Sequence, residues 1–406
     1  MIEPANPFHV LGAGLDPAHL PPVYREVLEA ADILVGGSRL LAPWTSLPAR
    51  RLILKPPLEA VLSEADRLRR QGLKVVVLAD GDPGFFGIGA RLVRDFGTEA
   101  VTFYPNVTVL QAAAARLKLA WEGIEAVSLH GREDLAPLFA ALTRERRVGV
   151  YTDGRNTPKR IGELMYERTG NDFQMHVFEN LGYREERISS HLPSEAVSAE
   201  FSDLNFILLE RIREPEVELA FGLDDASFVH QGGLVTKKEV RAAGLAALRP
   251  APARVIWDVG AGSGSMAIEA AALSERARVI AIEQDEARAE QIRANARRTG
   301  ALSVETVCGR APECLDHLPD PDRVFIGGGL GGDDGILQCV LDRIRPGGRL
   351  VIHFVLLQSL QRALALLRDK GLDVELGQVQ FSRAQALAGD LRFVPLNPVF
   401  ILTVQV

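Results

Sequence analysis

Residues 255–264 read VIWDVGAGSG: an apolar run, an acid near its end, then glycines at 260, 262 and 264. Glycine tolerates positive φ and lets a ligand come close to the backbone. A helix beginning after such a loop offers free N–H groups. A second apolar run, VIAIE, ends in Glu283, 25 residues after Asp258. A carboxylate at the tip of the second strand of an α/β unit accepts hydrogen bonds from ribose hydroxyls. Together these residues fit NAD or S-adenosyl-L-methionine. A dinucleotide site expects G-x-G-x-x-G with a pyrophosphate at the helix. Here the spacing is G-x-G-x-G, preceded by an acid. Asp258 suits an ammonium group and would repel a pyrophosphate. The late turn Arg345-Pro346-Gly347-Gly348, leading into a strand, points the same way.

The first half carries a different loop. Residues 78–89 read LADGDPGFFGIG. Gly81-Asp82-Pro83-Gly84 predicts a constrained turn after a strand, because Pro fixes φ and Gly supplies special conformations. Asp82 has two roles open to it: a carboxylate that stabilises the turn, or a pocket residue. Upstream, HVLGAGLDP places Gly12 and Gly14 after a short strand.

Composition limits what these sites can serve. The chain has 406 residues, 46 basic and 53 acidic, for a net charge of −7. Mild acidity argues against a protein whose main task is gripping nucleic acid. Cys308, Cys314 and Cys339 are the only cysteines and form no C-x-x-C pair, so reduced thiols in a cytoplasmic protein are expected. No structural zinc or catalytic metal is expected. No signal peptide is read at the N-terminus, and no apolar run nears the ~18 residues of a membrane span. A polyanionic substrate would need arginines gathered in clefts that the whole-chain sum conceals.

The elements that must position these residues alternate. Short aliphatic runs at 8–11, 33–35, 51–54, 75–79 and 101–104 predict strands, as do 126–128, 147–151, 174–179 and 206–210. Amphipathic stretches at 22–31, 58–71, 88–96 and 109–117 predict helices. The charged, Pro-containing stretch near Arg211–Val217 interrupts the series. A new one follows, with strands at 255–259, 279–283, 304–307, 323–326 and 349–354. Helices are expected at 238–248, 265–273, 286–299, 335–344 and 359–369, with strand-like tails at 373–379 and 399–404. Alternation of this kind is α/β architecture with mostly parallel sheets. The boundary is placed near Arg213, giving domains 1–213 and 214–406, the first divided into subdomains at about 1–104 and 105–213.

The second domain resembles class I, Rossmann-like S-adenosylmethionine-dependent methyltransferases. Three segments narrow this: FVHQGGLVTKKEVR at 228–241, CGRAPE at 308–313 and IGGG at 326–329. Segment by segment they resemble the C15-methylating, decarboxylating enzymes of corrin (cobalamin) biosynthesis. The resemblance implies a cofactor pocket of Thr236, Asp258, Gly260, Ala261, Gly262, Ser263, Gly264, Glu283 and Ala311. Arg310, beside the cofactor loop, is either a structural arginine or a clamp for substrate carboxylates; Gly327, Gly328 and Gly329 are either a tight turn or also face the substrate, since they sit at the carboxyl end of a strand.

The first domain resembles the tetrapyrrole methylases (class III), whose cofactor lies between two α/β subdomains. The segments LHGR at 129–132, YTDGRNTP at 151–158, SSHLP at 189–193 and NFILLE at 205–210 bring it close to the C5-methylating branch. Gly12, Gly14, Gly81, Asp82 and Thr108 are the implied cofactor residues. Pro105-Asn106-Val107-Thr108-Val109 stands where related enzymes commonly show P-G-I-S-S. Asn can replace Gly at positive φ, and Thr108 retains one hydroxyl. His130, His191 and His230 fall inside motif segments.

Together the halves resemble the fused precorrin-6Y C5,15-methyltransferases (decarboxylating). The resemblance implies a precorrin tetrapyrrole substrate, methylation at C5 and C15, and loss of CO2 from the C12 acetate. It also implies a homo-oligomer and hand-over to neighbouring pathway enzymes. A cobalt-precorrin substrate and a cofactor-binding assembly module without turnover are the alternatives.

Overall fold

The computed structural model describes residues 6–233, 235–327, 330 and 334–406. The chain forms two compact units. The first comprises Met1–Gly131, Gly149–Gly162 and Gln174–Glu210. The second comprises Arg132–Val148, Glu163–Phe173 and Arg211–Val406.

The first unit begins with a five-stranded sheet. Its order is Arg50–Ile53, Ile33–Gly36, Val75–Ala79, Phe8–Gly12, Val101–Tyr104, and every pair is parallel. Ile33–Gly36 and Val75–Ala79 are buried along their whole length, as expected of strands covered on both faces. Phe8, Val10, Val75 and Val77 pack on one side with Leu62 and Ala65 of helix Leu58–Arg70. Leu11, Leu34, Val76 and Leu78 pack on the other with Leu28, Leu41 and Trp44. The carboxyl ends of Phe8–Gly12, Val75–Ala79 and Val101–Tyr104 therefore stand side by side. They bring together the loops starting at Gly12, Asp80 and Pro105. A second five-stranded sheet has the order Glu125–Ser128, Arg147–Tyr151, Asn205–Arg211, Phe173–Glu179, Arg187–His191. Its last pair is antiparallel.

The second unit is built on a seven-stranded sheet. Val304–Cys308, Arg278–Glu283, Val255–Val259, Arg323–Ile326 and Arg349–Phe354 run parallel. Val399–Gln405 and Val374–Val379 complete it antiparallel. Val255, Trp257 and Val259 face one core; Ile256 faces the other. Asp258 shares the Ile256 face.

Most expected elements form, with ends displaced by a residue or two. Three were hidden. Helix Ala136–Arg144, which buries Leu138 through Leu142 without a break, lies outside the expected set. Helix Pro158–Thr169 and the hairpin Ser382–Leu387/Asp390–Pro395 also lie outside the expected set. The hairpin turns on Ala388 and Gly389, both at positive φ. Such turns usually announce themselves as Asn-Gly or Asp-Gly; Ala-Gly does not. No helix among the described residues is long and apolar enough to cross a membrane.

Candidate functional site

A cavity of about 960 Å³ opens at the carboxyl ends of the parallel strands of the second unit. Open α/β sheets bind ligands at this edge. Thr236, Asp258, Gly260, Ala261, Gly262, Ser263, Glu283, Arg310 and Ala311 all line it. Gly264 does not. It starts helix Ser265–Leu273 at φ +77°, and a Cβ there would stand 2.9 Å from Ile292. Its task is close packing of helix on helix. Gly328 and Gly329 lie outside the described residues; Gly327 lines the cavity.

Asp258 is buried, and its Oδ2 accepts a hydrogen bond from the Ala267 N–H at 3.0 Å. Its Oδ1 is buried with no partner among the described residues. Burial, reinforced by the nearby Glu283 charge, pushes its carboxyl up to about 7. Glu283 Oε2 accepts from the Gly262 N–H at 2.9 Å and Oε1 from the Asp285 N–H at 3.1 Å. The acid thus holds the glycine loop and keeps lone pairs for hydroxyl donors. Gly262 stands at φ +59° with open space where a Cβ would be. Ser263 Oγ is also buried with no partner among the described residues. An unpaired buried carboxylate oxygen is costly, and a ligand cation supplies what it lacks. The residues present therefore fit S-adenosylmethionine: Asp258 for the ammonium, Glu283 for the ribose hydroxyls, the open glycine loop for close approach.

Arg241 ends the TKKEVR segment and has a different role. It is fully buried, with Nε donating to Glu269 at 2.8 Å and Nη1 to Asp225 at 3.1 Å. It also donates to the Thr236 carbonyl, holding Thr236 at the cavity.

The first unit has a smaller cavity, about 610 Å³, at the equivalent edge of its first sheet. Asp82 and Thr108 line it. Gly12, Gly14 and Gly81 shape the loops behind it. A Cβ on Gly12 would lie 2.5 Å from the Gly81 carbonyl, and Gly14 and Gly81 exchange backbone hydrogen bonds at 3.1 and 3.2 Å. Both Asp82 oxygens are occupied: Oδ1 by the Gly84 N–H at 2.8 Å, Oδ2 by the Asn106 N–H at 3.1 Å. Thr108 caps helix Val109–Leu117 in a capping box with Gln111. Asn106 is not at positive φ as its type suggested. Its Nδ2 instead donates to the Gly12 carbonyl at 2.9 Å, tying two loops together. Burial pushes the Tyr151 phenol, beside Thr108, up to about 12.

Comparison with known proteins agrees with this geometry. Residues 7–195 match the family of tetrapyrrole (corrin/porphyrin) methylases, and residues 226–406 match a precorrin methyltransferase domain. A precorrin-6Y C(5,15)-methyltransferase (decarboxylating) from a Sinorhizobium species is 33% identical over 96% of this chain and 94% of its own length. The chain belongs to that family. Two shorter relatives each cover about half of it. One is a cobalt-precorrin-7 C(5)-methyltransferase of Salmonella typhimurium, 35% identical over 49% of this chain and 96% of its own. The other is a probable cobalt-precorrin-6B C(15)-methyltransferase (decarboxylating) of Pyrobaculum calidifontis, 37% identical over 45% and 94%. A tetrapyrrole methylase domain is thus followed by a second, unrelated methyltransferase domain.

Several lining residues of this family member carry no sequence signal. Leu396 and Asn397, after the hairpin, reach the cavity more than a hundred residues beyond the glycine loop. Lys237 and Arg288 join Arg310 at the wall; the Lys237 Nζ donates to the Gly233 carbonyl at 3.4 Å. His353 is the penultimate residue of the fifth parallel strand, edge-on to Phe325, with Nε2 buried and without a partner among the described residues. Burial pulls it down to about 4, so it is neutral at physiological pH. Of the histidines in motif segments, His191 bonds Ser189 Oγ at 2.9 Å and His130 lies 3.2 Å from the Thr152 carbonyl. Neither they nor His230 lines either cavity.

Proposed function

We propose that this chain methylates precorrin-6Y at C5 and C15 and removes CO2 from the C12 acetate, with S-adenosylmethionine as methyl donor. The first unit serves C5; the second serves C15 and the decarboxylation. The observation that carries the reading is the Asp258 oxygen, buried without a partner among the described residues, in a cavity that Lys237, Arg288 and Arg310 also line.

S-adenosylmethionine supplies an electrophilic methyl group. The chain's own residues bind, orient and exclude water. Asp258 neutralises the ammonium, and Glu283 fixes the ribose. Thr236, Gly262 and Ala311 shape the pocket. Arg310 and Lys237 clamp peripheral carboxylates of the macrocycle by charge-assisted hydrogen bonds. The nucleophile is an electron-rich ring carbon, so positioning supplies much of the acceleration. The apolar floor at Met266, Phe325 and Leu330 disfavours an ionised acetate placed against it.

The test is incubation with precorrin-6Y and S-adenosylmethionine, followed by mass spectrometry. Two added methyls with loss of one CO2 is the expected product. A single methyl without CO2 loss overturns the bifunctional reading. The same assay with the cobalt-containing macrocycle identifies the preferred branch. We also infer a cytoplasmic homo-oligomer that passes its product to neighbouring pathway enzymes. Leu391 and Phe393 on the hairpin, 67% and 75% exposed, support self-association. Light scattering during size exclusion measures it; a monomer at micromolar concentration would contradict it.

A further inference from the structure

Phe86 combines two unfavourable features. Its φ is +54°, and half its surface is exposed. Left-handed backbone is a rare choice for a bulky side chain, and exposed apolar area is a further cost. The loop explains the backbone but not the residue. Gly84 N–H bonds to Asp82 Oδ1 at 2.8 Å, and Gly89 N–H bonds to the Pro83 carbonyl at 3.1 Å. A Cβ on Gly87 would lie 2.9 Å from that same carbonyl, and one on Gly89 only 2.4 Å. The segment is wound so tightly that position 86 is driven to positive φ. Glycine would be the cheapest occupant.

The Phe86 ring is nevertheless held in place. It meets Phe85 at 4.9 Å between centroids and Tyr151 at 5.4 Å. Tyr151 rests in turn on Phe206 at 5.1 Å. Phe85 lines the first-unit cavity with Asp82 and Thr108. An anchored aromatic surface, open on one side, therefore stands beside this cavity. Strain concentrated at a functional loop is a recurrent pattern. A flat, conjugated ligand with an apolar face and a polar rim is what such a surface accommodates.

We propose that Phe86 is a substrate-contacting residue of the first unit, the apolar platform on which one face of the macrocycle rests during the C5 step. The inference rests on the reading that the first unit methylates the macrocycle. The test uses the full chain with Phe86→Gly, Phe86→Leu and Phe86→Tyr. Thermal unfolding, calorimetry with S-adenosylhomocysteine, and separate KM values for the C5 and C15 steps are measured. Phe86→Gly is expected to keep or raise Tm, because the backbone strain is relieved. It should raise the C5-step KM roughly tenfold or more while leaving cofactor affinity and the C15 step unchanged. Phe86→Leu should fall between, and Phe86→Tyr should restore the wild-type KM. If Phe86→Gly unfolds, the contrast of Leu with Tyr carries the test: equal KM values overturn the proposal. A Phe86→Gly protein with unchanged C5-step KM overturns it, as does one whose only loss is cofactor affinity. A wild-type chain that adds no methyl at C5 overturns the reading of the first unit and this inference with it.

Discussion

Asp82 and Asp258 are the same residue type in similar places. Each stands by a glycine loop at the carboxyl edge of a parallel sheet, and each lines a cavity. Asp82 has both oxygens occupied by backbone N–H groups of its own and the neighbouring loop. Asp258 has one occupied and one buried without a partner among the described residues. The difference separates architecture from chemistry. A satisfied carboxylate has spent its charge on holding backbone; an unsatisfied one retains it for a ligand. On the proposed reading the two units would meet a cationic cofactor differently, the second with a side-chain charge and the first with loop backbone.

The contrast can be broken most severely at Gly262. An arginine there would project into the open space of the second cavity. Gly262→Arg should abolish C15 methylation and decarboxylation while leaving the C5 step within about twofold, if the units act independently. A mass shift of one methyl without CO2 loss is the readout. Loss of both steps would show that the units are coupled.

Asp258→Asn is the next largest change. Removing one partner of a buried ion pair costs about 3–5 kcal/mol, so calorimetry should find at least ~100-fold weaker S-adenosylhomocysteine binding at one of two sites. The other site should be untouched. Without ligand, the sign for stability reverses. The Asp258 carboxyl is raised from 3.8 to about 7 on folding. Its penalty grows as pH rises from about 4 to 7 and is constant above. The variant should thus melt above wild type at pH 8, with the gap closing as pH falls towards 4.

The same carboxyl predicts a pH signature. Binding at the second site requires its ionised form. Affinity there should fall below pH 7 by up to about tenfold per pH unit, whereas the first site should stay flat between pH 5.5 and 7. His353, already neutral above about 4, does not titrate in this window. Equal pH profiles at the two sites would remove the distinction between the acids.

Smaller effects belong to the first unit. Asp82→Ala leaves the Gly84 and Asn106 N–H groups without acceptors, at about 1–3 kcal/mol. The melting transition of this unit should drop by several degrees, and any loss of C5 activity should follow that drop. Thr108→Ala removes a helix cap and should cost about 1 kcal/mol, read by denaturant unfolding. A large activity loss at unchanged stability would instead return Thr108 to the cofactor.

Much of the cavity lining was legible because its residues are local in sequence. Asp258 through Ser263 form one loop, and Glu283 follows on the adjacent strand. Gly264 was readable as part of the motif, but not as packing against Ile292. Asn106 misled because its type suggested a conformation, when its amide was needed to bond the Gly12 carbonyl. Leu396, Asn397 and His353 were illegible: their places depend on strands such as Arg349–Phe354 and Val399–Gln405, which pair across some fifty residues.

By itself the sequence determined the α/β alternation, the two kinds of glycine loop and the acids beside them. Hydrophobic period and backbone constraints act over a few residues and leave their mark there. Only the tertiary structure decided which acid is spent and which is free, and which motif arginine is buried scaffold. It also decided that Phe86 is stacked yet open. Those outcomes depend on hydrogen-bond partners and burial contributed by distant segments, and no local pattern records them.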